Sequence, residues 1–144
     1  MGSSNSPGDT IRERLLTEHR ATIDGVLDAA IAVTEALELN GQTATRRTIT
    51  EPFSAVLEHR GHQREFPAMI TTTADAAHLS LPAPPVPAPP YVTVTGRGPI
   101  LRVAGPNRRV VVLIKAFELV DDSEAEYRLL RADPEDALDV SIVE

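Results

Sequence analysis

The chain has 144 residues, of which 42% are apolar, 24% charged and 3% aromatic, with 12 Pro, 8 Gly and no Cys, the size of one ordinary domain. The lack of cysteine excludes disulfides, thiolate zinc sites, iron–sulfur ligation and cysteine nucleophiles, and the longest apolar run, residues 110–114, falls far short of the ~20 residues a membrane-spanning helix needs. Net charge is −7 with pI about 5.1, and every basic residue but Lys115 is arginine, a balance suited to a salt-adapted cytoplasm where acidic surface keeps a protein soluble.

Residues 1–8 are small and polar and are expected to form a disordered lead-in. Ser6, Pro7 and Asp9 then spell a helix start, because a hydroxyl accepts from an orphan amide and proline loses nothing in the first turn. Apolar residues recur at Ile11, Leu15, Ile23, Val26, Leu27, Ala30, Ile31 and Leu37 until Asn40-Gly41 supplies a stop, predicting one helix of about thirty residues. Thr48 and Glu51 have capping-box spacing ahead of a second helix carrying Phe53, Val56 and Leu57 and ended by Gly61. A third, from about residue 65, carries Phe66, Met69, Ile70, Thr73, Ala74 and Ala77. Together these make a helical half over 9–81. Proline fills six of the nine positions 82–90, which reads as an extended strut.

From residue 91 to 144 the texture switches to period two. Strands are predicted at 91–95, 100–104 and along 109–120, joined by the turns 96–99 and 105–107, with an acidic turn at 121–123, a strand at 127–130, a helical turn at 134–137 and a last strand at 139–143. Short links imply an antiparallel meander. The expected fold is therefore α+β: a long N-terminal helix and two shorter helices packed on an antiparallel meander of about four to five strands. If Val92, Val94, Leu101, Val103, Val110, Val112 and Ile114 face the core, then Tyr91, Arg102, Arg109, Val111, Leu113 and Lys115 fall on the opposite face. Residues 91–119 carry a net charge of +4 against −7 for residues 120–144. With Arg97 on the first turn, these residues form a candidate interaction face that is cationic, aromatic and apolar.

Nucleophile-elbow, P-loop and dinucleotide-binding spacings are absent from the sequence, and no catalytic or cofactor-binding residue is assigned. His59 and His62, flanked by Glu58 and Glu65, are weak candidates for a divalent metal, but Gly61 breaks the helix between them. His19 reads as a boundary residue of the first helix. The acidic residues at 121–126 lack the alternating frame of a calcium loop. The cationic face invites nucleic acid, with Tyr91 available to stack a base, although the acidic C-terminal segment or an acidic partner is expected to neutralise it.

The stretch PPYVTVTGRGPILRV after the proline strut, within residues 86–118, resembles small uncharacterised proteins of halophilic archaea. The resemblance implies a cytoplasmic protein of a salt-loving cell and assigns no catalytic residue. The function expected is a non-enzymatic interaction or assembly module whose partner is itself or another protein, with no membrane and no cofactor. The alternatives are a weak nucleic-acid-binding or regulatory protein using the cationic face, and an enzyme with a pocket between helices and sheet.

Overall fold

The computed structural model describes residues 6–121 and 126–143. Helix α1 (Pro7–Glu18) begins at Ser6, whose Oγ accepts the Asp9 N–H at 3.2 Å. The single long helix predicted over the N-terminal stretch is two helices, α1 and α2 (Arg20–Ala36), broken at His19, where φ is −127° and ψ 23°. The two serve different partners. Helix α1 packs on α4 (Phe66–Ala76) and the last strand, whereas α2 packs on α3 (Arg46–His59). The buried stripe drifts accordingly from Ile11 and Leu15 to Ile23, Val26, Ala30 and Val33.

His19 marks the joint. Its Nε2 lies 2.7 Å from the Thr72 hydroxyl of α4 (Phe66–Ala76). Burial holds its pKa below the ordinary value; Glu18 and Glu65 oppose that shift and Arg14 adds to it, but burial dominates. A histidine that resists protonation when folded contributes stability above its unfolded pKa of about 6.5 and loses it as pH falls through the folded value. The melting temperature is therefore expected to drop between neutral pH and pH 5, and less so in His19→Gln, which does not titrate. Equal slopes in the two melting series would contradict this.

Strand β1 (Ala44–Thr45) precedes α3 (Arg46–His59), and Thr45 also caps that helix, accepting the Thr48 N–H at 3.3 Å. The helix thus starts before the predicted Thr48–Glu51 box, because Thr45 in extended conformation already supplies the acceptor. In α4, threonine is accommodated by back-bonding, as in Thr73 Oγ1 to the Met69 carbonyl at 2.8 Å. The proline-rich stretch 82–90 is irregular and finishes in a turn, where the Ala88 carbonyl accepts from the Tyr91 and Val92 amides.

The α+β class is observed, with the strands divided between two antiparallel sheets. One has the order β2-β3-β4-β7 and is built from β2 (Val92–Val94), β3 (Pro99–Ala104), β4 (Arg109–Ile114) and β7 (Leu138–Val143). The other has the order β1-β6-β5, with β5 (Phe117–Asp121) and β6 (Glu126–Leu129). The run predicted along 109–120 is interrupted at Lys115-Ala116. There the Lys115 N–H donates to Ala137, the end of the short helix α5 (Pro134–Ala137), and the Ala116 and Phe117 amides both donate to the Arg97 carbonyl. The chain leaves the first sheet at that point and enters the second. Most of the acidic turn predicted at 121–123 lies outside the described residues.

One core cluster joins residues of both halves, from Ile11 to Leu138. Val92, Leu101, Val103, Val110, Val112 and Ile114 all point into it, and Val94 packs against it half-buried. Arg14 ties α1 to α4 through Asp75 at 2.6 Å, and Arg12 donates to the carbonyls of Leu138 and Glu135.

Candidate interaction site

Period two places Arg102 opposite Val111 and Val111 opposite Ser141, while Arg109 lies between Ala104 and Val143 and Leu113 between Ile100 and Asp139. These residues share the face turned away from the helices. Tyr91 precedes β2, and its carbonyl accepts the Arg102 N–H at 2.8 Å. Lys115 lies one residue beyond β4. Arg97 stands apart, exposed on the tight turn that Thr95 and Gly98 close. Leu113 is only 9% exposed, so its neighbours on the sheet cover most of what was expected to be open surface.

Among the described residues the charges on this face meet no counter-ion. Arg102 donates to the Thr93 hydroxyl at 3.1 Å, and among the described residues no ion pair reaches Arg97, Arg102, Arg109 or Lys115. Of the C-terminal acidic residues, Glu135 pairs with Arg20 of α2, which holds its carboxyl below the usual range; Asp122, Glu124 and Glu144 lie outside the described residues.

The edge beside this face is also open. The bond from Lys115 to the Ala137 carbonyl fixes the ladder phase, so Asp139, Ser141 and Val143 exchange bonds with β4, and Leu138, Val140 and Ile142 direct their backbone groups outward. Arg12 takes the outward carbonyl of Leu138. Beyond it, no hydrogen bond among the described residues reaches the outward groups of Val140 and Ile142. Val143, at the end of the strand, is 47% exposed.

The candidate metal residues are not brought together. His59 is exposed in the last turn of α3. His62, past Gly61 at φ +82°, turns its ring onto Gly25 of α2, with Nδ1 3.4 Å from Glu65. Among the described residues, no three His, Asp or Glu side chains form a metal-holding group.

Sequence reasoning missed a groove of about 710 Å³ between α3 and the outer edge of β2. Its helical wall carries Thr50, Ser54, Ala55 and Glu58, and Arg46 and Arg47 lie at its other end. The Thr50 hydroxyl oxygen is buried there without a hydrogen-bond partner, a state that costs about 1–3 kcal/mol. No histidine lines the groove. The only sequence signal for it is the polar side of α3, which looks like any solvated helix face.

All but the first two residues of α1, the other helices, the proline-rich stretch and both sheets fall inside one family match, over residues 9–143. The chain belongs to the DUF7988 family, a domain of unknown function. No curated protein and no solved structure matches it.

Proposed function

We propose that this DUF7988 domain is a non-enzymatic assembly module that pairs with a second copy of itself through the edge of β7. The observation that carries this reading is the outward backbone of Val140 and Ile142 at the end of the four-stranded sheet, without partners among the described residues. A two-fold axis through Ser141 sets Val140 opposite Ile142 of the second copy, so outward donors meet outward acceptors and the two sheets become one. The same register sets Asp139 of the second copy beside Val143, whose other neighbour is Arg109. Unpaired edges are strong templates for this kind of addition.

The acidic, arginine-rich composition supports a saline cytoplasm as the working environment. Backbone pairing and apolar contact survive there, and screening relieves the repulsion between two chains of net charge −7. Light scattering at tens to hundreds of micromolar is expected to give a dimer that tightens as KCl rises. Ser141→Arg sets like charges directly across the axis and should give a monomer with an almost unchanged melting temperature, since Ser141 is exposed. A wild-type monomer at all concentrations and salts would refute the reading.

Arg102, Arg109 and Lys115, without counter-ions among the described residues and at the same sheet as Tyr91, favour a second reading as a weak nucleic-acid binder. Its salt dependence has the opposite sign, because counter-ion release weakens phosphate contacts as salt rises. Retention on immobilised RNA that falls with KCl, and is lost when the three cations become Ser, would favour it.

A further inference from the structure

The four-stranded sheet has a second free edge, of a different kind. Tyr91, Thr93 and Thr95 exchange bonds with β3 and the following turn, as seen in Arg102 N–H to Tyr91 at 2.8 Å and Thr95 N–H to Gly98 at 3.0 Å. Val92 and Val94 therefore direct their backbone groups away from β3. The Val92 N–H returns to the Ala88 carbonyl at 3.1 Å. The Val92 carbonyl and both groups of Val94 remain, with no hydrogen bond among the described residues reaching them.

These three groups border the groove along α3, where the buried Thr50 hydroxyl also lacks a partner. Helix α3 forms one wall of the groove, and Pro87, Ala88 and Pro89 of the proline-rich stretch also line it. The groove has charge polarity. Arg46 and Arg47 stand at one end, where the Arg46 stem passes beside Gly96, Glu51 follows one turn along α3, and Glu58 stands at the other end. None of the four forms an ion pair with a described residue.

We propose that this groove binds an extended peptide segment of another protein, which adds to the sheet beside β2 with an acidic residue at Arg46–Arg47 and a basic residue at Glu58. Main-chain bonds to Val92 and Val94 supply affinity whatever the peptide's sequence, and the charged ends set its direction. Small or β-branched side chains suit the wall formed by Ser54 and Ala55.

The test pans a displayed library of random decapeptides against the full chain and measures the consensus peptide by fluorescence anisotropy. The expected consensus is acidic at one end and basic at the other, with short or β-branched residues between. The Arg46→Glu/Arg47→Glu pair should weaken this peptide by at least about tenfold and prefer its charge-reversed version, while N-methylation of alternate peptide amides should abolish binding to either chain. Failure to enrich any consensus, or a consensus insensitive to both the charge reversal and N-methylation, would overturn the proposal. Loss of the peptide in Ser141→Arg alone would move the site to β7.

Discussion

Gly98→Ala is expected to lower the melting temperature by about 10 °C or more, the product of a loss of several kcal/mol and about 3–5 °C per kcal/mol for a chain of this size. Gly98 is buried at φ +151°, and a Cβ there would lie 1.9 Å from the Ile114 carbonyl oxygen and 3.1 Å from its carbon. That neighbour is backbone and cannot step aside. The Arg97 carbonyl holds the Ala116 and Phe117 amides at 2.8 and 2.9 Å, pinning the point where the chain crosses between sheets. Overpacking costs about 1–3 kcal/mol and a strained backbone conformation a similar amount, a large part of the ~5–15 kcal/mol that holds a domain folded. Gly41→Ala separates the two effects: its φ is +84°, but nothing lies within 4 Å of its Cβ, so only the backbone term applies. If both variants melt alike, the close approach at Gly98 is not as described.

Phe53→Ala is expected to cost about 3–5 kcal/mol, seen as a lower urea midpoint. Phe53 on α3 is fully buried and meets Phe117 on β5 edge-to-face, with ring centroids 5.4 Å apart and planes at 83°. The pair joins the helix beside the first sheet to a strand of the second. No other aromatic contact joins described residues, so its loss leaves a cavity with no neighbouring ring to refill it. A double-mutant cycle with Phe117→Leu should return about 0.5–1.5 kcal/mol of coupling beyond the area lost. A cycle that closes at zero would mean the rings act only as bulk.

Features that depend on neighbours in sequence were legible. Ser6-Pro7-Asp9 announced a cap, Asn40-Gly41 a stop, and alternation from Val92 to Ile114 gave the buried face of the first sheet, since each requires only local backbone chemistry. The break at His19 was not legible, because neither Gly nor Pro marks it; the bend answers to α4 and the sheet on one side and to α3 on the other. The interrupted strand was hidden for a similar reason. Residues 109–120 have unbroken β composition, and what divides them is the carbonyl of Arg97, far off in sequence. Of the candidate face, the shared side of Arg102, Arg109 and Val111 followed from period two, whereas the burial of Leu113 depends on Ile100 and Asp139 in neighbouring strands. The groove along β2 required α3 to lie beside a strand edge some forty residues later, which no spacing encodes.

The most direct test of the assembly reading is oxidative cross-linking of Ser141→Cys, which introduces the chain's sole thiol. Two residues facing each other across the axis in a non-hydrogen-bonded pair have Cα atoms ~4.5 Å apart, inside the span a disulfide accepts. Mild oxidation should give a covalent dimer in high yield. Asp139→Cys, whose opposite number is Val143, should pair without forming the covalent dimer. A monomer from Ser141→Cys, or equal cross-linking from both variants, would contradict pairing through β7.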